Sequence, residues 1–231
     1  MGFGGGMLYY SGETHVLGYD FLGSYAVQAS PAGIPTLTYD LANHQLWSLG
    51  NAQGWASAAN VTISHLVPVG HYGSNSLVAG VPLPLSESFL LPTGAGLFAG
   101  LGLIGVHTGE EFLLLDTDTG EVTRKPSPSL AAAPCKGPFF FGVIEHGSNG
   151  LMLVYVQADT DAVVRTRPAD GATQVVLQGE MFADMCGLAV DIDASSWCFH
   201  VSEMSQFDNQ NGQSWALCCM ATFLAPGIQQ N

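Results

Sequence analysis

Residues 94–106 read GAGLFAGLGLIGV, inside a run from Ser88 to Thr108 that contains no charged side chain. A membrane span, a phosphate-cradling glycine loop and a β-strand all compete for such a stretch. A transmembrane helix needs roughly 20 apolar residues with few breakers. Here Pro92, Gly94, Gly96, Gly100, Gly102 and Gly105 intervene, and each glycine costs a helix up to about 1 kcal/mol. GAGLFA fits the dinucleotide fingerprint GxGxxA, but that motif requires a helix directly afterwards and an acidic residue about 20 positions on. Leu101, Gly102, Leu103, Ile104 and Gly105 follow instead, and then a turn. A strand remains over residues 97–104, with Leu97, Ala99, Leu101 and Leu103 on one face and Phe98, Gly100, Gly102 and Ile104 on the other. Glycines on one face of a strand mean that something packs very close to it, as happens to the innermost strand of a radial structure.

Radial structures repeat. TYDLANHQLWSL (38–49), LLDTDTGEVTRK (114–125) and AVDIDASSWCFH (189–200) each place an aspartate six residues before an apolar residue, at Asp40, Asp116 and Asp191 with spacings of 76 and 75. A Gly-Ser-Asn turn at 73 recurs at 147. Between these runs a finer period: glycine turns at Gly33, Gly73, Gly109, Gly147 and Gly187 give a unit of about 38 residues. Within a unit the reading is strand, glycine turn, strand, Asp-led turn, strand, most clearly in FFFGVIEHGSNGLMLVYVQADTDAVVRTR (139–167). No stretch of comparable length has capped helical periodicity, so the chain reads as all-β.

An antiparallel unit of about 40 residues repeated around an axis is a propeller blade. The chain resembles β-propeller repeat proteins, and TYDLANHQLWSL is similar to the kelch element at Tyr39, Asp40, Trp47 and Leu49. Single glycines, shortly after His71, His107 and His146, stand where kelch repeats carry paired ones. The resemblance implies one propeller domain over residues 1–231, of five or six blades, with the termini MLYYSGETHVLGYDF and SWALCCMATF sharing the closing blade.

Composition narrows the function. The 231 residues are 47% hydrophobic, only 10% charged, and carry a net charge of −14. The five basic residues are Arg124, Lys125, Lys136, Arg165 and Arg167, so no basic stripe exists for nucleic acid. An anionic membrane surface is disfavoured on the same ground. Residues 1–108 hold only Glu13, Asp20, Asp40 and Glu87 of the nineteen acids. A surface so poor in charge is suited to contact with a protein partner or with another copy of the chain. Five cysteines without CxxC or zinc spacing, and no signal-like leader, point to an intracellular location.

The candidate ligands are few. DTDTGE places Asp116, Asp118 and Glu121 in part of a calcium-loop pattern, short of the full ligand set; the same residues suit a tight hairpin turn. His71, His107 and His146 recur at corresponding points of three units and are candidates for binding a metal or a sugar at one rim. No GxSxG elbow occurs. The expectation is a non-catalytic recognition or assembly module. A lectin-like carbohydrate or small-ligand binder is the alternative, and a hydrolase or lyase with axial carboxylates the third reading.

Overall fold

In a computed structural model the described residues are 2–4, 7–11, 16–20, 25–30, 33–40, 45–71, 77–127, 130, 138–147, 150–157, 160–179, 185–191 and 196–201. They form strands and short connections, with no α-helix among them and none long and apolar enough to cross a membrane.

Five antiparallel units follow one another. The first is a meander of β1 (Gly2–Gly4), β2 (Met7–Ser11), β3 (Val16–Asp20) and β4 (Tyr25–Ser30). The second contains β5 (Thr38–Asp40), β6 (Gln45–Asn51), β7 (Gly54–Trp55), β8 (Val61–His71) and β9 (Leu83–Leu91), in the order β5-β6-β8-β9 with β7 paired to β6. The third comprises β10 (Ala95–Gly100), β11 (Leu103–His107), β12 (Glu111–Asp116) and β13 (Val122–Pro126), and the fourth β14 (Phe139–Gly147), β15 (Gly150–Gln157), β16 (Ala162–Thr166) and β17 (Thr173–Gln178). A hairpin of β18 (Met185–Asp191) and β19 (Ser196–Val201) belongs to the fifth.

The first strands meet one another. β10 and β14 pair in parallel, Ala95 opposite Phe139 through to Ala99 opposite Val143, which joins the third and fourth meanders into one eight-stranded sheet. β5 lies against β1 and β10, β14 against β18, and β18 against β1. Each unit's first strand thus touches that of the next, and the fifth returns to the first.

The apolar cores lie between consecutive units. Tyr9 and Val16 of the first pack with Ile34, Tyr39, Leu46 and Val67. Trp47, Leu49, Ile63 and Phe89 of the second pack against Leu97, Ile104, Val106 and Leu113 of the third. Phe98, Phe112 and Leu114 on its opposite face pack against Phe140, Ile144, Leu153 and Tyr155 of the fourth. A sheet buried on both faces needs apolar residues at successive positions, and β10 is buried along its whole length.

This arrangement explains the glycines of residues 94–106. Phe98 meets Phe112, Phe140 and Tyr155 edge to face, with ring centroids 6.1, 5.8 and 6.1 Å apart. A Cβ at Gly96 would overlap the Phe140 ring, one at Gly105 would press on Phe112, and one at Gly142 would overlap Phe98. The glycines are the sockets that let this aromatic cluster close, and such edge-on pairs contribute about 1 kcal/mol each beyond the area they bury.

Several expectations are corrected. The strand read over residues 97–104 is two strands: β10 ends at Gly100 and a two-residue turn, Leu101-Gly102, leads into β11. Gly100 does abut a neighbour, since a Cβ there would overlap the Ile144 carbonyl oxygen. Gly102 does not; its nearest neighbour would be Thr117 Oγ1 at 3.8 Å, and its φ of +74° is what requires glycine. Four of the units have four principal strands rather than three, and they begin at Gly2, Thr38, Ala95, Phe139 and Met185, separations of 36, 57, 44 and 46 residues. The 38-residue spacing linked turns at different places in their units: Gly109 follows a second strand, Gly147 a first. Likewise Asp40 and Asp191 end first strands whereas Asp116 ends a third. Among the described residues the sheet holding residues 7–20 is built from residues 2–30; SWALCCMATF, expected to share its blade, lies outside them.

Candidate functional site

A buried polar constellation joins the second and third units. Asp40, at the end of β5, is fully buried. Its Oδ1 accepts a hydrogen bond from Gly102 N at 3.0 Å, and its Oδ2 one from the Thr117 hydroxyl at 3.0 Å. Thr117 N in turn donates to Gly102 O at 3.0 Å. A buried carboxylate is tolerated only when hydrogen-bonded. Here it fixes the Leu101-Gly102 turn and the start of the β12–β13 turn to the neighbouring unit.

That turn carries strain. Leu101 and Gly102 both have positive φ, 60° and 74°, the geometry of a type I′ hairpin, for which Asn-Gly is the favoured pair. Leucine in the left-handed region costs roughly 1–2 kcal/mol. Yet Leu101 remains 39% exposed rather than tucked into the core.

The DTDTGE segment is a capped turn. Asp116 Oδ1 accepts hydrogen bonds from Asp118 N at 3.0 Å, Thr119 N at 2.8 Å and Thr119 Oγ1 at 2.8 Å. These bonds, the Thr119 hydroxyl first, hold its carboxyl below the ordinary value of 3.8. Asp118 and Glu121 are exposed, and the Glu121 amide bonds Thr119 Oγ1 at 3.2 Å. Asp116, Asp118 and Glu121 do not converge: among the described residues no group of three His, Cys, Asp or Glu side chains is placed to hold a metal ion.

His107 and His146 are also not brought together. His107 is buried, with its Nε2 2.7 Å from Ser127 Oγ and its ring 6.5 Å from that of Phe140. It stands opposite Gly96, which pairs with Phe140 near the start of β14. His146 is exposed and lies six residues farther along β14, about 20 Å away at a strand rise of about 3.3 Å per residue. His71 ends β8 opposite Gln45, and its side chain is outside the described residues.

Residues singled out by the structure alone lie in the low-charge half. Val78 and Val81, in the connection between β8 and β9, are 67% and 88% exposed, and Leu90 on β9 is 57% exposed. Along β9, Pro84, Ser86, Ser88 and Leu90 form an uncharged exposed row. The only charged residue of the strand, Glu87, is 2.7 Å from Arg124 Nε. The sequence signal for this surface was the lack of charge; apolar residues in a turn-like segment, VAGV (78–81), were the sharper clue.

No family model matches the chain, and no curated protein matches it. Solved structures to which it is similar include the major allergen Mala s 1 of Malassezia sympodialis, at a TM-score of 0.42 and 12% identity over 72% of this chain and 49% of that one. The chain therefore spans about half the length of that relative. The extracellular domain of a one component system of B. thetaiotaomicron aligns at a TM-score of 0.38 and 12% identity over 87% of this chain and 26% of that one. The N-terminal domain of Nup159 aligns at 0.33 and 11% identity, over 86% and 71%.

Proposed function

We propose that the chain is a five-bladed β-propeller serving as a non-catalytic recognition or assembly module that binds a protein partner, a second copy of itself included, through its low-charge surface. The closed succession of first-strand contacts from β1 through β5, β10, β14 and β18 back to β1 supports the propeller. So do the cores between consecutive units, since blades pack face to face around an axis. The observation that carries the binding role is the exposure of Val78, Val81 and Leu90 in a segment, residues 77–91, whose one charged side chain, Glu87, is already paired. An exposed uncharged apolar surface gains from being covered, and that gain depends little on salt.

Light scattering of the purified chain tests this. Association is expected to persist at high salt and to weaken on Val81→Lys, which places an unpaired charge in the contact. A monomer at high concentration, unchanged by the substitution, would remove the self-assembly version, and a screen of protein partners unaffected by Val81→Lys would remove the rest.

A further inference from the structure

A cleft of about 230 Å³ lies between the third and fourth units, and it differs in character from the surface just described. Its walls include Leu114, Leu151, Pro126 and Pro168, and two of the five basic residues, Lys125 and Arg167, also line it.

The basic residues are in different circumstances. Arg124 pairs with Glu87 and Glu111, and Arg165 with Glu145. Arg167 gives Nη1 to Asp170 at 2.8 Å, while its Nε is buried without a partner. Lys125 is exposed on β13 and makes no ion pair among the described residues. In a chain of net charge −14, a lysine without an ion pair among the described residues and a part-used arginine thus line one apolar cavity.

We propose that this cleft binds a small carboxylate carrying a short hydrocarbon chain. The carboxylate is held between Lys125 and Arg167, whose free donors it satisfies, and the hydrocarbon lies against Leu114, Leu151 and the two prolines. The apolar walls disfavour a bare inorganic anion, which gains nothing from them. The excess negative charge of the chain disfavours a polyanion, which is repelled over a longer range than a single carboxylate. The cleft lies on the third and fourth units, apart from the partner surface on the second.

Hexanoate, hexanol and inorganic phosphate, titrated into the full chain by calorimetry, provide the test. Hexanoate is expected to bind at least about tenfold more tightly than hexanol, the difference one charge-assisted hydrogen bond supplies, and phosphate more weakly than hexanoate. Lys125→Glu, at an exposed strand position, should abolish that preference while leaving the melting temperature unchanged. Arg167→Gln should weaken hexanoate and leave hexanol as it was. Equal binding of hexanoate and hexanol, tighter binding of phosphate, or hexanoate affinity unaltered by Lys125→Glu would each overturn the assignment.

Discussion

The buried carboxylate of Asp40 accepts a hydrogen bond from the hydroxyl of Thr117, 77 residues away in the chain, across the boundary between two units. With its other oxygen on Gly102 N, Asp40 acts as a latch between the second and third units. Asp40→Ala leaves the part-buried Gly102 amide without its acceptor and removes the tie between the two units, at an expected cost of about 2 kcal/mol. Asp40→Asn should cost under about 1 kcal/mol, because Thr117 Oγ1 also lies 2.9 Å from Gly102 O. It can turn its proton there and accept from the new amide. Thermal denaturation of the two variants decides; equal melting points would mean that the latch carries no stability.

Two glycines two residues apart both have positive φ, +153° at Gly100 and +74° at Gly102, but only Gly100 is also closed in by a neighbour. At Gly100 a side chain would collide with the Ile144 carbonyl oxygen of β14, so Gly100→Ala forces the parallel β10–β14 pair apart and should cost about 3 kcal/mol. At Gly102 the space is open and only the positive φ resists, so Gly102→Ala should cost about 1 kcal/mol. Chemical denaturation of both gives the order, and the reverse order would contradict the packing of β10 on β14.

The sequence made the strand class legible and the boundaries much less so. Alternation at Leu97, Phe98 and Ala99 marked β10, but Leu101 continued the same alternation through a turn that only the pairing of Gly100 with Leu103 defines. Turn glycines do not say which pair of strands they join, so a period measured between Gly109 and Gly147 compared unlike places. The low charge of residues 1–108 was visible at once, whereas the latch was not. Asp40 looked like part of a local repeat, and its partners, Gly102 and Thr117, become neighbours only through the contact of β5 with β10 and β11. The histidines recurred in sequence, but recurrence out of phase with the strands put His107 and His146 at opposite ends of the sheet.

The Asp116 turn predicts a response to acid. Its carboxyl is held below the ordinary value of 3.8 by Thr119 and Asp118, so the folded state binds the proton less readily than the unfolded chain does. The stabilisation is therefore complete above the unfolded value and is lost as pH falls through the folded one. Asp116→Asn removes the titrating group, and the difference in melting temperature between wild type and variant should shrink as pH is lowered from neutral to below 3.8. Thr119→Val, which deletes the largest cause, should show the same convergence in weaker form. A difference constant over that range would show that the turn contributes no proton-linked stability.

Leu101 is the position where stability and binding are expected to part. Its backbone sits at a φ of 60°, where asparagine is at ease and leucine is not, and its side chain is exposed instead of filling the core. Leu101→Asn should therefore raise stability by about 1 kcal/mol, read as a higher melting temperature. The strain and exposure of Leu101 motivate the prediction that it extends the proposed contact surface. The same substitution should then weaken association, with itself or with a partner, by removing an apolar contact from the tip of the β10–β11 hairpin. Stabilisation with association intact would leave the strain in place and take Leu101 out of the contact surface. A fall in melting temperature would mean that the leucine packs on its surroundings more tightly than its exposure indicates.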